Sequence, residues 1–331
     1  MPFKTPSFWY DETQNNLKTK LLRPFGALYG ALNGARMRKR ASYASSTAKV
    51  ICIGNLTAGG GGKTPTAIAT GNLLGRDHSV YLTRGYGRSS NTADVVSTEH
   101  SAADAGDEAL LLARHRPTII SADRVAGAKM AENHGAKLII MDDGLQNPSL
   151  YKDLRLCVID GPRGFGNLRC IPAGPLRQPL EIGLTQVDAF IVIGAPRDNI
   201  ARLLPKGLPR FNARLVPQIN ALPENYKTIP YTAFCGIAQP DKFKESLTEI
   251  GVKSLFLDAF ADHHSFTAAE LTALMQKAKA QGGRLITTEK DFVRIPDGPW
   301  KDMLDVLPVI LDFEDPIAVK TFIEQHLSSE V

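Results

Sequence analysis

Short, mostly apolar runs alternate with helical patterns over much of the chain. The runs are three or four residues long and occupy positions 50–53, 80–82, 118–120, 138–141, 156–159 and 190–193. Segments such as 108–114 and 124–132 separate them and place apolar residues three or four positions apart. Strands that alternate with helices in this way pair in parallel. The pattern therefore predicts an α/β fold, with a mostly parallel sheet and helices on both faces.

A proline-rich, polar stretch at 204–230 indicates a domain boundary. Beyond it the alternation starts again on a smaller scale. Strands are predicted at 232–237, 285–287 and 309–311, and helices at 241–250, 268–280 and 317–327. We therefore expect an N-terminal segment at 1–49, a sheet domain at 50–225 and a smaller C-terminal α/β domain at 226–331.

The N-terminal segment is predicted to contain an amphipathic helix from about Pro24. Its apolar stripe consists of Leu21, Phe25, Leu28, Tyr29 and Leu32. The basic cluster that follows consists of Arg36, Arg38, Lys39 and Arg40. Residues 1–49 hold nine Lys or Arg and two acids, whereas the whole chain has a formal net charge of +5. The basic excess is therefore local and favours an anionic partner. A helix lying in a membrane interface fits this pattern; a helix packed on its own domain is the alternative.

Cysteine use and hydropathy exclude several other classes of protein. The scattered cysteines Cys52, Cys157, Cys170 and Cys235 form no Cys-x-x-Cys pair, so neither a zinc site nor a disulfide framework is expected. The sequence contains no run of about 18 apolar residues, so no membrane-spanning helix is predicted. The first residues also lack the apolar core of a secretory signal. A reducing cytoplasm fits these features.

A phosphate-binding loop is predicted at 57–64, where the sequence TAGGGGKT follows a strand and opens a helix. Glycines let backbone N–H groups approach phosphate oxygens, and the helix N-terminus adds partial positive charge. Lys63 is expected to reach the β- and γ-phosphates of ATP, and Thr64 to ligate Mg²⁺. Thr57 stands where the strict pattern has glycine, so the loop is a variant. The alternative to a phosphate-binding loop is a flexible glycine turn before a helix. The predicted ATP-binding residues here are Thr57, Ala58, Gly59, Gly60, Gly61, Gly62, Lys63 and Thr64.

Asp142 and Asp143 end the apolar strand at 138–141 and are predicted to supply the acidic partner of the magnesium ion. The sequence does not choose between the two. A phosphate loop is shared by kinases and by ATPase or GTPase switches, so a switch or chaperone remains the alternative. Ala58 stands where partitioning-type ATPases carry a second lysine, and no Asn-Lys-x-Asp motif occurs. No aromatic-rich strand or zinc pattern supports a nucleic-acid partner.

Several motifs together resemble one family, the tetraacyldisaccharide 4′-kinases of lipid A synthesis. They begin with FWY at 8–10 and continue in order with GNLTAGGGGKTP at 54–65, RGYGR at 84–88, GDE at 106–108, DDGLQ at 142–146, RGFGN at 163–167, PAGPLR at 172–177, DHH at 262–264 and TEKD at 288–291. Two positions depart from the family pattern. Asn147 stands where histidine is usual, and Gln178 where glutamate is usual, so these positions offer amides in place of an imidazole and an acid.

The resemblance implies a P-loop kinase that uses ATP and Mg²⁺. Its acceptor would be the 4′-hydroxyl of a tetraacyldisaccharide 1-phosphate, a glycolipid precursor of lipid A. The enzyme would then work peripherally at the cytoplasmic face of the inner membrane of a Gram-negative bacterium. Partner proteins are not implied.

The resemblance also implies catalytic roles for Asp107, His263 and Lys63. Asp107 would accept the proton of the sugar hydroxyl, with His263 holding and polarising it; the alternatives are a helix N-terminal acid and a polar loop histidine. Arg84 and Arg88 would meet phosphate oxygens of ATP or of the lipid, or else lie in a solvated loop. Residues 289–291 are expected to form only a salt-bridged turn. Because Asp107 and His263 lie far apart in the chain, the site is expected between two domains.

Overall fold

The computed structural model describes residues 5–11, 16–38, 44–75, 77–85, 92–97, 99–252 and 255–328. The strands within these residues are β1 Lys49–Gly54, β2 Ser79–Thr83, β3 Asp94–Val95, β4 Thr118–Ile120, β5 Leu138–Asp142, β6 Leu154–Asp160, β7 Ala189–Ile193, β8 Arg210–Pro217, β9 Tyr231–Cys235, β10 Leu255–Ala259, β11 Arg284–Thr288, β12 Leu304–Leu307 and β13 Val309–Phe313. The helices are α1 Leu17–Arg38, α2 Lys63–Leu74, α3 Ala102–Ala105, α4 Asp107–Ala113, α5 Arg124–Asn133, α6 Leu180–Leu184, α7 Ile200–Leu203, α8 Pro240–Glu249, α9 Ala268–Ala280, α10 Glu289–Phe292 and α11 Pro316–Ser328.

Nine of the described strands form a large sheet in the order β13-β8-β7-β6-β1-β5-β2-β4-β3. Its inner strands are parallel, while the edge strands β13 and β3 run antiparallel to their neighbours. Alternate residues of the inner strands enter two cores, one containing α5 and the other containing α2, α4 and α11. Burial on both faces explains why these strands are continuously apolar. The predicted α/β fold with a mostly parallel sheet is confirmed.

A second sheet has the order β10-β9-β11-β12, and all its pairs are parallel. Helix α8 buries Phe243 and Leu247 against one face, and α9 buries Leu271 and Leu274 against the other. We call β9 to β12 with α8 to α10 the small-sheet domain, and the part built on the large sheet the large-sheet domain. Each therefore has a core of its own.

The end of the chain does not belong to the small-sheet domain, contrary to the predicted division at 226–331. Strand β13 pairs antiparallel with β8, with Ile310 opposite Val216, and α11 buries Val319 and Ile323 in the large-sheet core. Strand β8 itself lies inside the stretch interpreted as a boundary. Its alternation of polar and apolar residues, RFNARLVP, is typical of a half-buried strand. Pairing with β13 covers the edge that β8 would otherwise expose.

Helix α1 packs through glycines rather than through its apolar stripe. Gly26, Gly30 and Gly34 are buried, and a Cβ on Gly26 would come 2.7 Å from the carbonyl oxygen of Cys170. The leucines and phenylalanine on the opposite side are 61–69% exposed; they are Leu17, Leu21, Phe25, Leu28 and Leu32. The expected alternative, a stripe packed on its own domain, is therefore not the observed arrangement. Lys39 and Arg40 lie outside the described residues.

None of the helices within the described residues has the length and apolarity needed to cross a membrane.

Candidate active site

The glycine loop connects β1 to α2 at the carboxyl end of the large sheet. Gly59 and Gly62 have φ values of +104° and +83°, and a Cβ on Gly62 would lie 2.4 Å from Cδ1 of Ile193. Both positions therefore require glycine. Gly62 is the N-cap of α2, and no described side chain caps it. The first N–H groups of this helix are thus left for an anionic ligand.

The start of the loop is braced by the protein itself. The N–H of Ala58 donates to Pro175 O at 2.7 Å, and the N–H of Arg177 donates to Leu56 O at 2.9 Å. Thr57 forms an antiparallel bridge with Leu176. The amide of Ala58, predicted to bind ATP, therefore already has a protein acceptor. Among the predicted loop residues, we therefore expect phosphate contacts from Gly59 onward.

Two aspartates at the end of β5 meet the first residues of α2. The Thr64 hydroxyl donates to Asp142 Oδ2 at 2.8 Å, and Lys63 Nζ lies 3.9 Å from Asp143 Oδ2. Lys63 is only 8% exposed. These are the contacts expected of a phosphate loop with its acidic strand end.

The two aspartates have different electrostatic surroundings. Burial, with the charges of Glu108 and Asp143, raises the pKa of Asp142 despite the opposing charge of Lys63. Burial also acts to raise the pKa of Asp143, but Lys63 and Arg177 outweigh it and lower that pKa. Arg177 Nη1 lies 2.8 Å and 3.0 Å from the two oxygens of Asp143. Asp143 is therefore already neutralised by protein cations, whereas Asp142 is not.

The surroundings of Asp142 fit a magnesium ion. Its Oδ1 is fully buried and has no hydrogen-bond partner among the described residues, an arrangement that costs free energy unless a ligand completes it. Hydroxyl and carboxylate oxygens are the ligands that Mg²⁺ prefers, and it commonly binds through one or two carboxylates with waters and phosphates. The described residues contain no group of three His, Cys, Asp or Glu side chains that could hold a metal alone. A phosphate-assisted site needs no such group.

Asp107 and His263, which are 156 positions apart, form a hydrogen-bonded pair. His263 Nδ1 lies 2.8 Å from Asp107 Oδ2, and Asp107 is 4% exposed. Asp107 is the first residue of α4, and its Oδ1 accepts from the N–H of Glu108 at 2.9 Å. Burial acts to raise the pKa of Asp107, but the hydrogen bond from His263 and the charges of Lys290 and Arg294 lower it to about 2. The carboxylate is therefore ionised at neutral pH.

The small-sheet domain fixes the orientation of His263. Its backbone has a φ of +59°, and its N–H donates to Gly236 O at 3.0 Å. Because Nδ1 faces a carboxylate, it carries a proton and donates to Asp107. Lys290 Nζ lies 3.4 Å from Nε2 of the same ring. The imidazole is thus held from both sides.

A cavity of about 640 Å³ extends from the phosphate loop to His263 of this pair. Both domains and the polar side of α1 line it, and the lining includes Tyr29, Asn33, Arg36, Gly60, Lys63, Arg84, Arg124, Asp143, Gln146, Arg177, His263 and Lys290. Arg84 therefore lines the same cleft as Lys63 and His263, and its role as a phosphate ligand stays a prediction. Arg88 lies outside the described residues.

Some residues of the cleft were given no role from the sequence. Lys290 was expected only in a salt-bridged turn, but its Nζ lies 3.9 Å from Asp107 Oδ2 and 3.4 Å from Glu108 Oε1. Arg294, whose Nε lies 3.6 Å from Asp107 Oδ2, lies outside every motif of the sequence. Arg177 appeared only inside a motif. Spacing along the chain gives no signal for such contacts, because each forms across the fold.

The two departures from the family pattern have protein partners. The Asn147 side chain accepts from the N–H and hydroxyl of Ser149 at 2.9 Å and 2.6 Å. Gln178 donates to Gln186 Oε1 at 3.1 Å. Both residues also line the cleft.

Comparisons with known proteins identify the family of this chain. The family model described as tetraacyldisaccharide-1-P 4′-kinase matches residues 18–328. A tetraacyldisaccharide 4′-kinase of a Bradyrhizobium species is 41% identical, covering 98% of this chain and 96% of the relative. The enzyme of that name from Methylobacterium nodulans is 44% identical, covering 95% and 93%.

A solved structure is also similar. The crystal structure of LpxK from Aquifex aeolicus in complex with ATP superposes with a TM-score of 0.75 at 26% identity, covering 93% of this chain and 99% of that one. The family match spans nearly the whole described chain and includes both domains that build the cleft. This chain therefore belongs to the tetraacyldisaccharide 4′-kinase family.

Proposed function

We propose that this protein transfers the γ-phosphate of ATP to the 4′-hydroxyl of a tetraacyldisaccharide 1-phosphate. The observation that carries the proposal is a cleft lined both by Lys63 of the phosphate loop and by His263, whose Nδ1 lies 2.8 Å from the Asp107 carboxylate. Phosphoryl transfer needs charge neutralisation on one side and a proton acceptor for the attacking hydroxyl on the other. The family assignment supplies the acceptor class.

On the phosphate side, the later loop amides, the α2 N-terminus and Lys63 bind the β- and γ-phosphates. Thr64 and Asp142 would hold the magnesium ion, which when bound neutralises charge on the phosphate oxygens. Asp143 is fixed by Arg177 and holds the Lys63 ammonium group in place through their ion pair. Arg84, on the wall of the same cleft, is a further phosphate ligand, either of ATP or of the lipid 1-phosphate.

On the acceptor side, Asp107 takes the proton of the 4′-hydroxyl. Its Oδ2 is held by His263 and its Oδ1 by the backbone of Glu108. A carboxylate oxygen has more than one acceptor direction, so each can still receive a hydroxyl proton. His263 orients the carboxylate, and Lys290 holds the far side of the imidazole. Asp107 is the catalytic base, and His263 is its positioning partner.

The exposed stripe of α1 lies in the membrane surface in this proposal. Tyr29, Asn33 and Arg36 of α1 line the catalytic cleft, while Leu28 and Leu32 of the same turns face away from the protein. A lipid acceptor whose acyl chains stay in the bilayer can therefore present its sugar beside this helix. Arg36 and Arg38 in the last turn add attraction to anionic headgroups. The protein is then peripheral, at the cytoplasmic face of the inner membrane.

The catalytic proposal is tested by phosphate transfer in mixed micelles. Labelled ATP is incubated with and without a tetraacyldisaccharide 1-phosphate, and lipid and inorganic phosphate are separated. We expect label in a bis-phosphorylated lipid and little ATP consumption without the acceptor. An ATPase or GTPase switch, the other candidate class, would release inorganic phosphate whether or not the glycolipid is present, and that result would overturn the proposal.

The membrane proposal is tested by co-sedimentation with anionic vesicles. One variant changes Leu28 and Leu32 to Gln, and a second changes Arg36, Arg38, Lys39 and Arg40 to Gln. The control is Ile317→Gln, an apolar residue of α11 that is 78% exposed on another surface. Each basic residue near such a surface contributes about 1 kcal/mol, so vesicle binding by the second variant should weaken, and binding by the parent should fall with rising salt. Vesicle binding by the first variant should also weaken, because it removes apolar side chains from the membrane-facing stripe. Unchanged sedimentation together with a lower melting temperature would instead support a purely structural helix.

A further inference from the structure

Gln239 of the small-sheet domain reaches across to the glycine loop of the large-sheet domain. Its Nε2 donates to Gly60 O at 2.7 Å and to Asp160 Oδ2 at 3.1 Å. Gln239 is 9% exposed and directly precedes α8. Both neighbours are acceptors, so the amide nitrogen of Gln239 must face them. The contact therefore ties the phosphate loop to a domain that contributes no residue to it.

The second acceptor, Asp160, is itself fixed. Lys242 Nζ lies 2.9 Å from each of its carboxylate oxygens, and the Asp160 side chain is 7% exposed. Asp160 ends β6, a neighbour of β1 in the large sheet. The Gln239 amide is thus aligned by one rigid group while it binds Gly60.

Peptide geometry converts this contact into an effect on the loop. In a planar trans peptide the C=O and the following N–H point in opposite directions. Holding Gly60 O toward Gln239 therefore directs the N–H of Gly61 away from the small-sheet domain. That N–H has no acceptor within the described chain, as expected of an amide kept for a phosphate oxygen. Four consecutive glycines would otherwise leave this peptide free to rotate.

We propose that Gln239 is a positioning residue for ATP, which holds the Gly60–Gly61 peptide in its phosphate-binding orientation from the second domain. The inference rests on the proposed role of the loop at 57–64 as the ATP site. The other end of the Gln239 loop is independently anchored, because the N–H of Gly236 donates to Asp291 Oδ1 at 2.9 Å. Loss of the Gln239 side chain should therefore leave the Asp107–His263 pair in place.

The expected signature is a change in ATP binding without a change in chemistry. Apparent affinity falls in proportion to the fraction of loops in the binding orientation. Loss of the neutral hydrogen bond to Gly60 O, the one that holds the loop, should raise the KM for ATP about threefold to tenfold. Once ATP is bound, its phosphates hold the loop themselves, so kcat at saturating ATP should stay within about twofold of the parent value.

Two variants separate hydrogen bonding from packing. Gln239→Ala removes the side chain. Gln239→Glu keeps its shape but loses the donor and places a carboxylate beside Gly60 O and Asp160, so it should raise the KM for ATP at least as much as Gln239→Ala. The matched control is Gln276→Ala, an exposed glutamine of α9. Steady-state kinetics with varied ATP and saturating glycolipid, and direct ATP binding by equilibrium dialysis, are measured alongside melting temperatures.

The outcomes distinguish the inference from the proposed function. A raised KM for ATP in both variants, with kcat retained, supports the positioning role. If Gln239→Glu behaves like the parent, or both variants lower only the melting temperature, Gln239 is a packing residue and the inference fails. Lys63→Ala is run in parallel. If it too leaves ATP binding and transfer unchanged, the loop is not the ATP site and the proposed function fails as well.

Discussion

The two sides of the cleft are built in different ways. The phosphate side comes from one strand–loop–helix unit and the end of a neighbouring strand, all in the large sheet. The acceptor side joins Asp107 of the large-sheet domain to His263 and Lys290 of the small-sheet domain. The phosphate side is thus built by a contiguous motif and its neighbouring strand, and the acceptor side by the approach of two domains.

Phosphate binding and proton transfer therefore depend on different parts of the structure. Binding of the phosphates depends on local backbone geometry, which the glycines and the α2 N-terminus provide. In the proposed mechanism, proton transfer depends on a contact between domains, so anything that shifts one domain relative to the other should affect catalysis before it affects the large-sheet core. Variants on each side should therefore fail differently.

Lys63→Ala should have the largest effect, on the phosphate side. A cation that stabilises charge on a transferring phosphoryl group is worth about 10³–10⁵ in kcat. The fold should persist, because Asp143 keeps Arg177 at 2.8 Å. Transfer kinetics and circular dichroism check this, with Lys49→Ala as the control, since Lys49 pairs with Asp153 at 3.1 Å at the opposite end of β1. Near-normal turnover by Lys63→Ala at saturating ATP would contradict the assignment.

Asp107→Asn should act on the acceptor side, lowering kcat by about 10²–10⁴-fold, since an amide cannot accept the proton. The KM for ATP should change little, because Asp107 is not part of the phosphate loop. Asp104→Asn, three residues earlier and bound to Ser101, is the matched control and should keep full activity. A rise in the KM for ATP with kcat retained would show that Asp107 serves the nucleotide instead.

His263→Ala should lower kcat less, by about 10- to 150-fold, the value of one hydrogen bond to a charged group. The double variant with Asp107→Asn should lose less than the product of the two single losses, because the residues act as a pair. His264→Ala, which loses a contact to Glu270 at 3.1 Å and ring contacts to Phe260 and Phe266, is the control. Strictly multiplicative losses would separate His263 from Asp107.

The smallest effect expected is on acid stability. The pKa of Asp107 is lowered to about 2, below the unfolded value of about 3.9. The ionised carboxylate therefore stabilises the fold above about pH 4, and this contribution, on the order of 2 kcal/mol, is lost as the pH falls from about 4 toward about 2. The melting temperature should therefore drop less between pH 7 and pH 3 in Asp107→Asn than in the parent. Equal falls in the two proteins would show that Asp107 is not the group responsible.

Much of the large sheet could be predicted from hydrophobic runs, but its edges could not. Strands β1, β2, β5, β6 and β7 are buried on both faces, so their sequences are plainly apolar. Strand β8 is half-exposed and lies in a proline-rich stretch, so its signal was weak. Strand β13 was recognised as a strand but placed in the wrong domain, because an apolar run does not identify its pairing partner.

Local chemistry is what the sequence by itself determined. The glycines of the phosphate loop, Lys63 and the strand that ends at Asp142 are adjacent in the chain or follow one short apolar run, so backbone sterics and residue type specify them. Only the tertiary structure decided which side chains complete the site. Asp107 and His263, or Gln239 and Gly60, meet because two sheets with separate cores pack against each other. That packing depends on the shapes of whole surfaces, which no spacing of residues along the chain records.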